Sequence, residues 1–509
     1  MKNLTRKEWI VILVFIAVKI LLHFLTNTNY DLHRDTFLYY SLSENLDWGY
    51  ASVPPFIGFL TRVATTLFGY SEFALNLFPV VAGVVSIFII ALIVKELGGK
   101  TFAIIVAALS FLLSTAYLRS NSLMQPVSFD QLFWLLSAYF VVKLINTQDT
   151  RFWYWIMISW AVGFMNKYLI AGYAFSFVVA LLITKHRKLL FSKHFVFGAI
   201  AAFFIVLPNL IWQYNHNWPV VHHLSELSKN QLVNVSMIGF IIDQFMMNVQ
   251  ALIVWMTGLI VFLFYKSEKN FRALSLASLF VIFLLMITHG KSYYTLGAYT
   301  LLMAMGGYAI EKYYNKMFKT VTVFLVVILS VPVMPFSLPI LSFPAMEKYS
   351  APMAEATNRW EDGKIYPLPQ DYADMTGWKE LSDIVIATYK SLPADVKSNT
   401  GIYAENYGQA GAVYYYGRKD SIPRPICFSD NFLIWAPDSV KQDYLIYIND
   451  EIGDIKFLYG NYELKGEVNN RYFRENGVKV FFCSHPTDTF RTFYKEKVKE
   501  LKSIYRRSQ

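Results

Sequence analysis

Residues 31–56 read Asp31-Leu-His-Arg34-Asp35-Thr-Phe-Leu-Tyr39-Tyr40-Ser-Leu-Ser-Glu44-Asn-Leu46-Asp47-Trp48-Gly49-Tyr50-Ala-Ser-Val-Pro54-Pro55-Phe56. The stretch is polar and aromatic at once, and it lies between apolar runs at about residues 9–25 and 76–94, each long enough to cross a hydrocarbon core of about 30 Å. It therefore belongs to a long loop, about residues 26–75, on one face of a membrane, and loops of that length are usually functional. Trp48, Tyr50 and Phe56 around the Pro54-Pro55 pair predict a short helix in the membrane interface on each side of the prolines.

Working outward, the chain of 509 residues is 55% hydrophobic and only 16% charged, with mean hydropathy +0.36. That apolar content exceeds what a water-soluble core needs. Runs of spanning length recur to about residue 336, at roughly 9–25, 76–94, 102–118, 129–145, 152–165, 169–184, 195–212, 238–264, 273–289, 294–309 and 320–336. The expected fold class is a polytopic α-helical membrane protein with about eleven transmembrane helices. The fifth and sixth runs are short and parted only by Met165-Asn166-Lys167-Tyr168, so a re-entrant hairpin is the alternative there.

Basic residues separate into two sets of loops. One holds Lys2, Arg6, Lys7, Lys95, Lys100, Arg151, Lys185, Arg187, Lys188, Lys193, Lys266, Lys269, Arg272, Lys312, Lys316 and Lys319, and the positive-inside rule makes it cytoplasmic. The other holds Arg34, Arg62, Arg119, Lys167, Lys229 and Lys291 and faces outward. The expected location is a bacterial inner membrane, N-terminus inside, everything after about Pro335 outside. No small-residue cleavage site follows the first run, which is expected to be a retained anchor. The net charge of +10 sits mostly in the short inner loops, where retention explains it, so no nucleic-acid partner is expected.

From about residue 345 to 509 the pattern changes to short apolar runs, among them Asp383-Ile-Val-Ile-Ala, Leu445-Ile-Tyr-Ile and Val478-Lys-Val-Phe-Phe, separated by Gly, Pro, Asn and Asp. This predicts a soluble extracytoplasmic α/β domain at 345–509 behind a membrane domain at 1–340. Cys427 and Cys483 both fall in it, where a bridge or two free thiols are equally open.

Arg34-Asp35 with Tyr39, then Leu46-Asp47-Trp48-Gly49-Tyr50 and Pro54-Pro55, resembles the first outward loop of the dolichyl-phosphate-mannose protein mannosyltransferase-like superfamily, bacterial branch, whose members have the GT-C glycosyltransferase fold. Further matches are Pro126-Val-Ser-Phe-Asp130, Asn166-Lys167-Tyr168, Leu207-Pro208-Asn209, Asn217-Trp218-Pro219, Gly290-Lys291-Ser-Tyr293-Tyr294, Leu368 to Trp378, and Asn406-Tyr407-Gly408-Gln409-Ala410. The resemblance implies an inverting transfer of a sugar from a polyprenyl-phosphate donor to an extracytoplasmic acceptor that is a protein, lipid or glycan. Membrane lipid is the remaining partner.

The same resemblance names the site. Asp35 stands where the family places its base, and a hydroxyl is a poor nucleophile until a carboxylate takes its proton; the plain alternative is an aspartate capping an interfacial helix. Asp130 matches a second active-site carboxylate, although a helix N-terminus by itself favours an acid there. Lys167 and Lys291, at outer membrane ends, are placed to neutralise the departing phosphate, with lipid snorkelling as the alternative. Arg34 either binds phosphate or pairs with Asp35. Tyr293 and Tyr294 divide between substrate contact and the interfacial aromatic belt. Trp218, His222 and His223 are expected on a mobile loop, about 213–237, lining the acceptor or sugar pocket. The family shows an acid directly after its base, whereas this chain has Thr36, so the usual carboxylate pair is incomplete. No cofactor is certain; a divalent metal is the less favoured alternative, and no metal ligand is named, since His216, His222, His223 and Glu226 lack the spacing of a recognised zinc site.

Two other functions compete: a transporter or flippase for lipid-linked sugars, and a catalytically inactive assembly partner. A transporter needs ionisable groups at mid-membrane. Only Lys19, His23 and Asp243 approach that depth, each expected to snorkel from a helix end.

Overall fold

The computed structural model describes residues 4–230 and 232–506. Lys2, counted above among the inner basic residues, lies outside them. Each of the eleven apolar runs falls on helix. Five helices among the described residues are long and apolar enough to cross a membrane: Arg6–Thr26, Glu72–Leu97, Pro126–Thr147, Lys193–Asn215 and Lys266–Ile287. A sixth candidate is broken, because Met237–Met246 and Val249–Phe264 meet at 65°. The sequence predicts one continuous run there; Asn248, in a non-helical conformation, interrupts it.

The chain folds as two compact units. The first comprises Met1–Asn27, Asn76–Leu210 and Leu227–Ile340. At its centre is the helix Leu296–Tyr313, in which every residue from Leu296 to Ile310 is buried. A helix apolar on all sides must be enclosed by others, and glycines let the neighbours approach backbone to backbone. A Cβ on Gly306 would lie 1.9 Å from the Val254 carbonyl oxygen, one on Gly258 2.4 Å from that of Leu302, and one on Gly307 2.4 Å from that of Ala103. Lys19 and His23 do not snorkel. Both are buried, and the Lys19 ammonium donates to the Tyr117 carbonyl at 3.4 Å in space that Gly83 leaves open.

The second unit comprises Thr28–Leu75, Ile211–Glu226 and Leu341–Gln509. Its sheet has the order β1-β2-β4-β3, with β1 Thr400–Ala404, β2 Tyr444–Asn449, β3 Tyr459–Glu467 and β4 Lys479–Pro486. β1 and β2 are parallel, and the other pairs are antiparallel. Leu445-Ile-Tyr-Ile and Val478-Lys-Val-Phe-Phe lie on β2 and β4 as their pattern predicts. Asp383-Ile-Val-Ile-Ala does not form a strand: it belongs to the helix Trp378–Ser391, whose buried Trp378, Leu381, Ser382, Val385 and Ile386 recur at helical spacing. Cys427 and Cys483 are free, buried thiols.

Helices stand on both sides of Pro54-Pro55, Arg34–Ser43 before it and Phe56–Phe68 after it. The expected loop at 213–237 is largely helical instead. Lys193–Asn215 runs on to Asn215, Asn217 and Trp218 turn at positive φ, and Pro219 opens a helix to Asn230. A proline suits a first helical position, where its missing N–H costs nothing.

Packing at the Gly306 contact leaves no room for a side chain, so Gly306→Val is expected to cost about 3 kcal/mol or more. Thermal unfolding of the detergent-purified protein checks this, with Gly172→Ala, whose Cβ meets only the flexible end of Leu284 at 3.3 Å, as the near-neutral control.

Candidate active site

In the second unit, Asp35 sits in the first turn of Arg34–Ser43, where a negative charge suits the helix dipole. It does not cap that helix. His33 does, its Nδ1 accepting the Asp35 amide at 3.2 Å, so the neutral ring carries its proton on Nε2, 3.8 Å from both Asp371 and Asp374. Burial alone would lower the His33 pKa, but the carboxylates of Asp371, Asp35 and Asp374 outweigh it and hold it above the ordinary value. A second proton on the ring would trade the cap for charge pairing.

The Asp35 carboxylate keeps 29% of its side chain exposed, while its Oδ1 accepts the Tyr407 hydroxyl at 3.0 Å. The Arg34 guanidinium lies 4.3 Å over the Tyr407 ring and donates to Asn406 Oδ1 at 3.4 Å. Asn406 also caps Tyr407–Gly417 by accepting the amides of Gly408 and Gln409, and its Nδ2 donates to Glu475 at 2.9 Å. Gln409 donates to the other Glu475 oxygen at 2.6 Å. Beneath this, the backbone amides of Asp31 and Arg34 donate to the carbonyls of Met375 and Asp374, and Arg474 pairs with the Asp374 carboxylate at 3.0 Å. Burial raises the Asp374 pKa, opposed by His33, Arg474 and Arg34.

Asp430 comes within electrostatic reach of both Asp35 and His223. Its backbone, at φ 52° and ψ −142°, is one that non-glycine residues rarely adopt. His222 meets the Tyr505 ring edge-on at 6.5 Å, and Trp218 is 39% exposed.

The remaining expected residues form a second group, within the first unit. Asp130 is buried, and its carboxylate accepts the Trp134 indole N–H at 3.0 Å. Lys167 ends the helix Phe152–Asn166, and its ammonium lies 5.3 and 4.3 Å over the rings of Tyr293 and Tyr294 and within electrostatic reach of Asp130. Asn166 and Tyr168 on either side donate to the Pro126 carbonyl and to Asn209, fixing the turn that presents Lys167. Lys291 precedes the short helical turn Ser292–Thr295, held by Ser292 to Asp243 and by Thr295 to Gln244, both at 2.6 Å. No group of three or more His, Cys, Asp or Glu among the described residues is arranged to hold a metal ion.

His33, Asp374, Tyr407, Asp430 and Glu475 thus surround Asp35 and Arg34, and the sequence reading assigns them no role. Asp374 and Tyr407 lay inside quoted motifs; nothing local to Glu475 or Asp430 marks them.

The fold itself is one known from solved structures. The chain superposes on the crystal structure of ArnT from Cupriavidus metallidurans bound to undecaprenyl phosphate with a TM-score of 0.65 and 13% identity, over 94% of this chain and 98% of that one. The oligosaccharyltransferase of Archaeoglobus fulgidus, in a complex with Zn and sulfate, matches with a TM-score of 0.51 and 12% identity over 87% of this chain and 68% of that one. The archaeal oligosaccharyltransferase AglB from Archaeoglobus fulgidus, in complex with an inhibitory peptide and a dolichol-phosphate, gives 0.51 and 11% over 89% and 70%. No curated protein sequence matches the chain. The fold is that of the GT-C membrane glycosyltransferases. Residues 52–212 match the family model of dolichyl-phosphate-mannose-protein mannosyltransferases, in line with the resemblance carried by the motifs.

A Cβ on Gly408 would lie 2.8 Å from both Arg34 Nε and Trp378 Cη2. Gly408→Ala is therefore expected to displace the Arg34 guanidinium from Tyr407 at a cost of about 1–3 kcal/mol, read as a lowered unfolding midpoint.

Proposed function

We propose that this protein is an integral-membrane inverting glycosyltransferase that moves a sugar from a polyprenyl-phosphate donor to an extracytoplasmic hydroxyl acceptor. The observation that carries the reading is Asp35: a carboxylate left open to solvent on one side while a network of charged and hydrogen-bonding groups holds it on the other. The undecaprenyl phosphate bound by ArnT supports the donor class.

In the proposed step, the acceptor oxygen forms a bond to the anomeric carbon from the face opposite the phosphate. The acceptor proton passes to Asp35, the carbon–oxygen bond to phosphate breaks with its electron pair, and polyprenyl phosphate leaves. Lys167 and Lys291 meet the charge that grows on the phosphate oxygens, where fixed cations act most strongly in the transition state. Arg34 stays with Tyr407 and Asn406 and acts on Asp35 by its charge and through Tyr407. Asp130 orients Trp134 and balances Lys167, and Trp218, His222 and His223 contact the acceptor or sugar. The step draws on no nucleotide.

Transfer of metabolically labelled sugar from native membrane lipids to envelope material, compared at equal membrane abundance, tests the reading. Asp35→Asn is expected to reduce the rate by a factor on the order of 10² to 10⁴. Undiminished transfer would favour an assembly partner, and labelled lipid that changes membrane face without transfer would favour a flippase.

A further inference from the structure

The reading above leaves unexplained why a residue 372 positions away in sequence touches the base. We propose that Tyr407 is a positioning residue for Asp35: its hydroxyl, donated to Oδ1, fixes the carboxylate's orientation, so that the C-terminal segment is part of the catalytic machinery. The inference rests on Asp35 being the base.

Three observations carry it. The hydroxyl donates to a carboxylate at 3.0 Å, the long end of the range for such a bond, and donors to charged acceptors bind more strongly than those to neutral ones. The ring that bears the hydroxyl cannot swing away readily. Arg34 covers one face at 4.3 Å, and the helix that starts at Tyr407 is fixed by Asn406 and Gln409, both donating to Glu475. Supporting contacts of this kind keep a catalytic group within the tolerance its chemistry needs. Finally, burial, and next to it the Asp35 charge, pushes the Tyr407 pKa well above its ordinary value, so the phenol remains a donor throughout the working range.

Several other groups act on Asp35. His33 stands 3.9 Å from Oδ2, while Arg34, next to it on the same helix, and Asp374 and Asp430, from other segments, act through their charges. Tyr407→Phe leaves all four in place and keeps the aromatic face under Arg34, so it removes the hydroxyl alone.

The hydroxyl sets where the carboxylate points, so its loss acts on the chemical step and not on donor binding. With labelled lipid-linked sugars extracted from native membranes as donor and the envelope fraction as acceptor, Tyr407→Phe is expected to lower kcat about tenfold while KM for the donor holds. Site-specific incorporation of trifluorotyrosine at position 407, which returns a hydroxyl to the ring, is expected to restore kcat. A kcat unchanged in Tyr407→Phe, or a loss that trifluorotyrosine does not repair, whatever happens to the unfolding midpoint, overturns the proposal and leaves Tyr407 a packing contact. Asp35→Asn run alongside separates the two readings. Full activity there removes the base itself, whereas an inactive Asp35→Asn with an unchanged kcat in Tyr407→Phe keeps the base and discards the positioning role.

Discussion

The guanidinium of Arg34 is a charge that no accessible pH removes, and its Nε is shut off from solvent, so its surroundings must answer it. They do so with the face of Tyr407, the amide oxygen of Asn406 and the fields of Glu475, Asp374 and Asp35. All but Asp35 come from the last third of the chain. Apolar packing of Arg34–Ser43 on Tyr407–Gly417 brings the two segments together, but it is non-directional. The fork of Arg34 and the two glycines beneath it, Gly408 and Gly411, set the register, since a Cβ on Gly411 would meet the Phe37 carbonyl at 2.8 Å. Through that register Asp35 receives its neighbours.

This also explains what could be read from the sequence. Membrane helices announce themselves through composition alone, because hydrocarbon satisfies no backbone polar group and leaves a helix as the way to span it. The interruption at Asn248 did not announce itself, since an apolar run records what faces lipid and not whether the backbone stays straight. Helical spacing at Trp378, Leu381, Val385 and Ile386 was present in the sequence, but the run Ile-Val-Ile within it is β-branched and reads as strand in isolation; packing decided otherwise. Asp35 is legible through the motif around it, and Lys167 and Lys291 because a lysine at the end of an apolar run, away from the basic-rich loops, is conspicuous. Glu475 and Asp430 did not, because a single acid in a soluble segment is ordinary until the fold gives it a partner. His33 was passed over for a related reason: serine, threonine, aspartate and asparagine are the usual caps, and here a histidine takes that place beside an aspartate that had the stronger prior claim.

The lysines of the first unit divide by how their charge is met. Lys95, Lys143 and Lys312 each lie 2.7–3.0 Å from a buried glutamate, an arrangement that consumes the charge in holding helices together. Removing one partner of such a pair leaves an uncompensated buried ion, so these lysines serve the fold. Lys167 is different. Its ammonium rests over two tyrosine rings, as that of Lys312 also does, but no glutamate among the described residues pairs with it, and an aromatic face attracts a cation without neutralising it. Asp130, the carboxylate in electrostatic reach, is already bonded to Trp134. A cation oriented in this way retains most of its attraction for an anion arriving later. A leaving phosphate needs that property and a structural salt bridge does not supply it, which is why Lys167 is assigned to the donor and the three paired lysines to the scaffold.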